Sequence, residues 1–319
     1  MDAVLAIITR NGARKGVVFR RMLESTLQIP YKTIILVDDS DDDETRLMVR
    51  EFAETHGKEL YATRSMLYNY HRPTRATGRQ TAIDLFLGNF SEGILIQLDD
   101  DVILRDGWWS EATYAFTDGR IGMFYGVTYD ADAIGEVDLK VKNAVLDGRG
   151  LKALLTTFLE RGRTNDIALR RRALVDVREN YGIIPPELHL YEDAWLLRAL
   201  QCSGWGVFIG FTGAVQHDPV KMSQITMGAV DASIDIKYIK IASKYGIIMS
   251  ANVASDIAKL PSPIALMPIL AVKRIRKYGL VKGLRMAIVE SYMRLLYKYV
   301  KIKGSLGFSC SKLRYQASG

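Results

Sequence analysis

Cysteine is nearly absent from this chain. Cys202 and Cys310 are the only two in 319 residues, and they lie far apart in no metal-ligand or redox spacing. That argues against a disulfide framework and against a zinc site, and it fits a reducing compartment, so a cytoplasmic location is expected. Long apolar runs are missing as well. The longest in the C-terminal part, from Pro263 to Val272, falls short of the roughly 20 residues that a membrane-spanning helix requires. At the N-terminus the apolar stretch Ala3 to Ile8 is too short for a secretory signal and has no basic segment before it, so it reads as a first β-strand.

What is present is the composition of a folded protein. Hydrophobic residues make up 48% and charged residues 25%, which excludes intrinsic disorder, and the length suffices for one large α/β domain with an appendage. The net charge of +7 is unevenly distributed. From Leu260 onward there are 12 Lys and Arg against a single acid, Glu290. The body of the chain is therefore mildly acidic and the tail strongly basic, a pattern that suits attraction to a polyanionic surface.

Three adjacent carboxylates dominate the first two thirds. Asp99, Asp100 and Asp101 end the apolar run Gly93 to Leu98 and are followed by Val102-Ile103-Leu104 and then Gly107-Trp108-Trp109. A buried strand that releases three acids at its carboxyl end concentrates negative charge, and a cation must offset it. Oxygen ligands on a short loop suit Mg²⁺ or Mn²⁺, and Mg²⁺ usually completes its shell with substrate phosphates.

The surrounding pattern alternates strand and helix. A strand over 3–8 precedes a polar turn and a helix over 17–27; a strand over 33–37 stops at Asp38-Asp39-Ser40 and leads into a helix ending near Thr55. In that helix the acids Asp41 to Glu44 are expected to complement the dipole. A helix over 77–87 leads into the strand that carries the aspartates, and a helix, then a strand over 121–127, follow Trp109. Trp108 and Trp109 read as core packing rather than pocket lining. Such alternation specifies an α/β sheet, whose ligands gather at strand carboxyl ends. Farther on, Tyr191 to Leu200 has helical spacing with Glu192 and Asp193 in its first turn, and a strand over 206–210 precedes Val215-Gln216-His217-Asp218.

Taken in order, these segments resemble the inverting GT-A glycosyltransferases of the family 2 type, over roughly Ala3 to Asp218. The resemblance implies a Rossmann-like, mostly parallel mixed sheet with helices on both faces over residues 1–220, followed by a helical, basic C-terminal extension over 221–319. It implies a metal-dependent enzyme that moves a sugar from a nucleotide diphosphate sugar to an acceptor hydroxyl on a glycan or a lipid-linked molecule. Thr9-Arg10-Asn11 is similar to the family's opening turn. Thr33 to Ser40 is similar to its second-strand motif, which carries Asp39 over as the contact to the base with Asp38 beside it; the usual glycine after the paired acids is replaced by Ser40-Asp41-Asp42-Asp43. Gly78-Arg79-Gln80 resembles the Ala-Arg-Asn segment and carries Arg79 to the nucleotide. Leu98 to Asp101 fits the Asp-x-Asp motif, with Asp99 toward the ribose, Asp100 between, and Asp101 on the metal. Glu192-Asp193 resembles the catalytic pair, with Asp193 as general base, and His217 resembles the histidine that completes the metal site in some members.

Two other readings compete. A nucleotidyltransferase shares this kind of fold, and Asn11-Gly12-Ala13-Arg14-Lys15-Gly16 is a faint match to its Gly-rich, basic phosphate loop; the Glu192-Asp193 helix argues against it. A nucleic-acid-binding protein would use the basic tail, but acidic strand ends repel a phosphate backbone and no base-stacking platform is evident, so no nucleic-acid partner is expected. In the tail itself, Val281, Leu284, Ile288, Tyr292, Leu295, Tyr299 and Ile302 keep helical spacing among many Lys and Arg. A helix of that kind suits peripheral contact with the anionic inner face of a membrane, and suits equally packing against its own catalytic domain.

Overall fold

The computed structural model describes residues 2–126, 129–130, 165–189, 191–210, 214–216 and 309–315, together with short runs and single positions between 241 and 288. The chain divides into two compact units, one comprising Met1–Pro219 with Arg314–Gly319 and the other Val220–Leu313.

The first unit is organised on β1 (Ala3–Thr9), β2 (Thr33–Asp38) and β4 (Ile94–Asp99), three runs rich in Ile, Leu and Val. Consecutive residues are buried along all three, so both faces of the sheet centre are covered, as expected of strands in a parallel α/β sheet. Leu5, Ile7, Ile34, Leu36, Ile96 and Leu98 are almost wholly excluded from solvent. Each such side chain contributes about 1.5–3 kcal/mol through burial.

With β3 (Glu59–Thr63), β6 (Ile121–Gly126), β8 (Asp166–Arg170) and β9 (Gly206–Gly210), these strands form a seven-stranded sheet in the order β3-β2-β1-β4-β8-β6-β9. The β3-β2, β2-β1, β1-β4 and β6-β9 ladders are parallel, and β8 runs antiparallel to both neighbours. A smaller sheet joins β5 (Val102–Leu104), β10 (Ala214–Gln216) and β7 (Tyr129–Asp130). The chain leaves β1 in one direction to β2 and β3 and then returns to the other side of β1 with β4. That reversal makes a crevice at the carboxyl ends of β1 and β4.

Six α-helices accompany the sheets among the described residues of the first unit: α1 (Val17–Ser25), α2 (Glu44–Thr55), α3 (Arg75–Asn89), α4 (Trp108–Ala115), α5 (Arg171–Tyr181) and α6 (Glu192–Cys202). Helix α3 begins with a reciprocal cap: Thr77 N–H donates to Thr74 Oγ1 at 3.2 Å and Thr77 Oγ1 accepts from Thr74 N–H at 2.7 Å. Its first two turns press on β1. A Cβ at Gly78 would sit 2.7 Å from Ile8 Cγ2, which explains glycine at a position where the resembled motif has alanine.

Three expectations are corrected. Strand β3 is absent from the sequence reading, because Glu59-Leu60-Tyr61-Ala62-Thr63 is a half-exposed edge strand without an apolar run. The acids before α2 do not all serve its dipole: Asp41 pairs with Arg10 instead, while Asp42 pairs with Arg14 and also accepts from Glu44 N–H at 3.3 Å at the start of the helix. The two cysteines, expected to be unpaired, are both disulfide-bonded. Trp108 is fully buried in the core, as the sequence indicates, and its Nε1–H donates to buried Asp166 at 2.9 Å.

Candidate active site

Strand register brings the acids together. Thr9 at the end of β1 pairs with Asp38 at the end of β2, and Ile8 pairs with Asp99 at the end of β4. Once the three strands align, the side chains that follow have one crevice to enter. A cleft of about 450 Å³ opens there, and Thr9, Asp39, Arg79, Asp99, Asp100 and Asp101 all line it.

At the β2 end the carboxylates are held by hydroxyls and amides. Asp38, 2% exposed, accepts from Ser40 N–H at 3.0 Å and from the Ser40 hydroxyl. Asp39 accepts from Ser65 N–H at 3.0 Å and from Ser65 Oγ at 2.5 Å, while its own N–H donates to Thr9 O at 3.0 Å.

At the β4 end the partners are cations. Arg79 Nη2 donates to Asp99 Oδ1 at 2.8 Å. Lys15 Nζ stands 2.9 Å from both Asp100 Oδ1 and Asp101 Oδ2, and Thr9 Oγ1 donates to Asp100 Oδ2 at 2.6 Å. Burial by itself lowers the proton affinity of Lys15, but Asp100 and Asp101 outweigh it and hold the ammonium more firmly charged than usual. Burial raises the Asp100 pKa, against the pull of Lys15 and Thr9.

Arg79 also links this cluster to helix α6. It is 3% exposed, and its Nε donates to Glu192 Oε1 at 3.4 Å. Glu192 is equally buried, and its Oε2 has no hydrogen-bond partner among the described residues. Burial lifts the Glu192 pKa in spite of Arg79, because the guanidinium is shared with Asp99 and lies nearer to it. Asp193 is raised well above the ordinary carboxylate range, first by burial and then by the neighbouring Glu192. Its Oδ1 accepts from Ala194 N–H at 2.7 Å, in the first turn of α6.

The cleft thus gathers Thr9, Asp39, Arg79 and the three consecutive aspartates. Asp38 lies buried below the strand end, Glu192 connects through Arg79, and Asp193 stands beside Glu192 without lining the cleft. His217 lies outside the described residues. The structure adds Lys15, Arg75 and His189 to the wall. Burial, then the charges of Arg75 and Arg72, depress the His189 pKa and favour a neutral imidazole, whose Nδ1 accepts from Arg75 N–H at 3.4 Å. Nothing in the sequence singles out His189, since its contacts come from a segment more than 100 residues away.

The family model described as Glycosyl transferase family 2 matches residues 5–178, more than half of the chain. The chain belongs to glycosyl transferase family 2. It is therefore a glycosyltransferase, and its seven-stranded, mostly parallel mixed sheet is the GT-A fold. The family also answers the choice left open by the basic loop after β1, against a nucleotidyltransferase. No curated protein matches the chain. Among solved structures, it is similar to glucosyl-3-phosphoglycerate synthase from Mycobacterium tuberculosis, crystallised with Mn²⁺, UDP and glucosyl-3-phosphoglycerate. That likeness has 14% identity over 73% of this chain and 78% of that one, with a TM-score of 0.46. It is also similar to S. aureus TarS 1-349 in complex with UDP-GlcNAc, at 12% identity over 96% of this chain and 91% of that one, with a TM-score of 0.49.

The acids of this glycosyltransferase fit a divalent ion in one particular way. Among the described residues, no three His, Cys, Asp or Glu side chains form a complete protein cage. Asp100 and Asp101 nevertheless turn one oxygen each toward a single cation, the Lys15 ammonium. Two carboxylates completed by substrate phosphates are the usual provision for Mg²⁺.

Proposed function

We propose that the protein transfers a sugar from a nucleotide diphosphate sugar to an acceptor hydroxyl, with inversion at the anomeric carbon and with Mg²⁺ or Mn²⁺ held at Asp101. The observation that carries this reading is the convergence of Thr9, Asp39, Arg79 and Asp99 to Asp101 on one cleft, with Arg79 joining it to Glu192 at the start of α6.

In this reading Asp39 and Thr9, with Asp38 buried beneath them, form the end of the cleft that receives the nucleoside. Asp39 is oriented by both of its bonds to Ser65, and a fixed acceptor suits recognition of a base edge. Asp99, held by Arg79, faces the ribose, and Asp100 and Asp101 lie where the diphosphate passes. A bound ion supplies positive charge against the diphosphate as it leaves. Arg79 adds a fixed cation beneath the same region. Asp193 takes the proton of the attacking hydroxyl, on the face of the sugar opposite the leaving group. Its raised pKa supports that role, because a base is most effective when its proton affinity lies near the working pH. Glu192 fixes the start of α6 through Arg79.

The acceptor we assign to this site is a hydroxyl on a glycan or on a lipid-linked molecule, with peripheral contact to an anionic membrane through the basic C-terminal part. Support comes from the apolar positions Val272, Leu280, Val281, Leu284 and Ile288, all exposed, with Val281 at 81%, in a region where Lys and Arg far outnumber acids. Among the described residues no helix is long and apolar enough to cross a membrane. Flotation with anionic vesicles tests this part: Val281→Ser, Leu284→Ser and Ile288→Ser together should abolish it, and unchanged flotation would remove the membrane contact from the proposal.

A panel of nucleotide sugars, each with and without Mn²⁺, tests the enzymatic part. One donor should raise the melting temperature progressively as its concentration climbs above its dissociation constant, and release nucleoside diphosphate only with the ion present. If no donor stabilises the protein or is consumed, the reading is wrong.

A further inference from the structure

The loop Asn11 to Gly16, between β1 and α1, has no role in the reading above, yet it sends a side chain into the cleft. It is built to be stiff. Gly12 is buried, and a Cβ there would lie 2.6 Å from Thr9 Oγ1 and 3.1 Å from a ring carbon of Phe19, so the turn admits no larger residue. Asn11 N–H donates to Ser40 Oγ at 2.7 Å, Asn11 Nδ2 donates to Asp41 Oδ2 at 3.0 Å, and Ala13 N–H donates to Thr45 Oγ1 at 3.0 Å. The arginines at this end of the chain pair with other acids: Arg10, at the cleft wall, with Asp41 at 3.2 Å and Arg14 with Asp42 at 3.0 Å. Of the three, Lys15 is the one that pairs with Asp100 and Asp101, from a backbone fastened at both sides.

We propose that Lys15 is a tethered competitor for the divalent ion: its ammonium and the ion use the same oxygens of Asp100 and Asp101, so the ion enters as Lys15 withdraws, and Lys15 then pairs with the donor's diphosphate. This rests on the metal site proposed above. The charge balance supports it. One ammonium leaves two carboxylates undercompensated, whereas a divalent ion matches them, and two cations within 3 Å of the same oxygens repel each other strongly. The exchange is feasible because lysine carries a point charge on a flexible four-carbon stem, while the loop that anchors it stays in place. Arg79 makes no such exchange, since it is buried and divided between Asp99 and Glu192. Lys15 in this way offsets part of the acids' charge until a diphosphate is there to receive the displaced ammonium.

Mn²⁺ binding measured by electron paramagnetic resonance, without nucleotide, tests the competition in the full chain. Lys15→Met should bind Mn²⁺ about tenfold more tightly than the parent, equivalent to about 1.4 kcal/mol. Lys15→Arg, which keeps the charge, should remain near the parent, and Asp101→Asn should lose the ion in either background. A second measurement needs no substitution: reductive methylation of the parent protein, read by mass spectrometry, should modify Lys15 several-fold faster when Mn²⁺ is present. Equal affinity in parent and Lys15→Met, with Asp101→Asn still weakening binding, overturns the competition and leaves the metal site standing. Mn²⁺-independent labelling of Lys15 has the same consequence. Failure of every protein to bind Mn²⁺, with a nucleoside diphosphate present as well as without it, overturns both.

Discussion

The two acidic strand ends lie side by side and are built from the same residue type, yet they are stabilised differently. Asp38 and Asp39, after β2, are satisfied by the hydroxyls and amides of Ser40 and Ser65. Asp99, Asp100 and Asp101, at the end of β4, are satisfied chiefly by the side-chain cations of Arg79 and Lys15, with the Thr9 hydroxyl adding one bond to Asp100. Hydroxyls and backbone amides fix a carboxylate in one orientation and offer nothing that another cation can replace, so the first pair is suited to reading a neutral group. Cations can be exchanged, shared or supplemented, so the second group is suited to charge that arrives and leaves during a reaction. A strand-end aspartate is therefore defined by its counter-group as much as by its position.

The largest effect should come from the far end of the cationic network, which only the β4 side possesses. Asp193→Asn is expected to lower kcat by about 10²–10⁴-fold, the range of general-base contributions, while donor binding changes little. Initial rates and donor titrations on the same preparation check this, and normal turnover would remove Asp193 as the base.

Next is Arg79→Met. It leaves buried Glu192 and Asp99 without their cation and should cost about 3–5 kcal/mol in urea unfolding at neutral pH. The loss should shrink in acid as Glu192 takes up a proton. A cost below about 1 kcal/mol would mean that the network is not the support described.

The pH dependence sharpens the same contrast. Burial raises the pKa values of Glu192 and Asp193 in the folded chain, so the folded state binds their protons more tightly than the unfolded state does. Their contribution to stability is therefore fully present below the ordinary carboxylate pKa and is lost as pH rises through the folded values. Asp193→Asn should flatten that part of the stability profile. The acid limb of kcat/KM in the parent should lie above the usual carboxylate range. A limb at ordinary carboxylate pH would contradict the raised Asp193.

A smaller effect is expected on the β2 side. Ser65→Ala removes one hydroxyl donor from Asp39 and should cost about 1.5 kcal/mol, without altering Mn²⁺ affinity. If it alters ion binding as much as a change at Lys15, the two strand ends are not independent. Smallest of all, Arg14→Ala breaks a solvent-exposed pair with Asp42 and should change stability by less than about 0.5 kcal/mol.

Much of this arrangement is legible in the sequence. Apolar runs, broken only by Gln97, mark β1, β2 and β4 because strands covered on both faces cannot alternate, and the acids that end β2 and β4 announce a site because such charge is costly to bury. Strand β3 escapes notice because an edge strand half open to solvent obeys no such rule. At the site, Thr9, Asp39, Arg79 and the β4 aspartates are identifiable from motifs in order. Ser65 and His189 are not, since a serine or a histidine in a loop carries no local mark of the partner it will meet. Lys15 is visible only as part of a basic, glycine-containing turn, and its partners stand 85 and 86 residues away.

The amino-acid order by itself determined the alternation of strands and helices, the glycosyltransferase family and the acids at the strand ends, because those follow from local hydrophobic patterning and short motifs. Only the tertiary structure decided which cation answers which carboxylate. Arg79 divides between Asp99 and Glu192, and Lys15 between Asp100 and Asp101, because strand register and the close approach of α3 to β1 bring together charges that the chain keeps far apart.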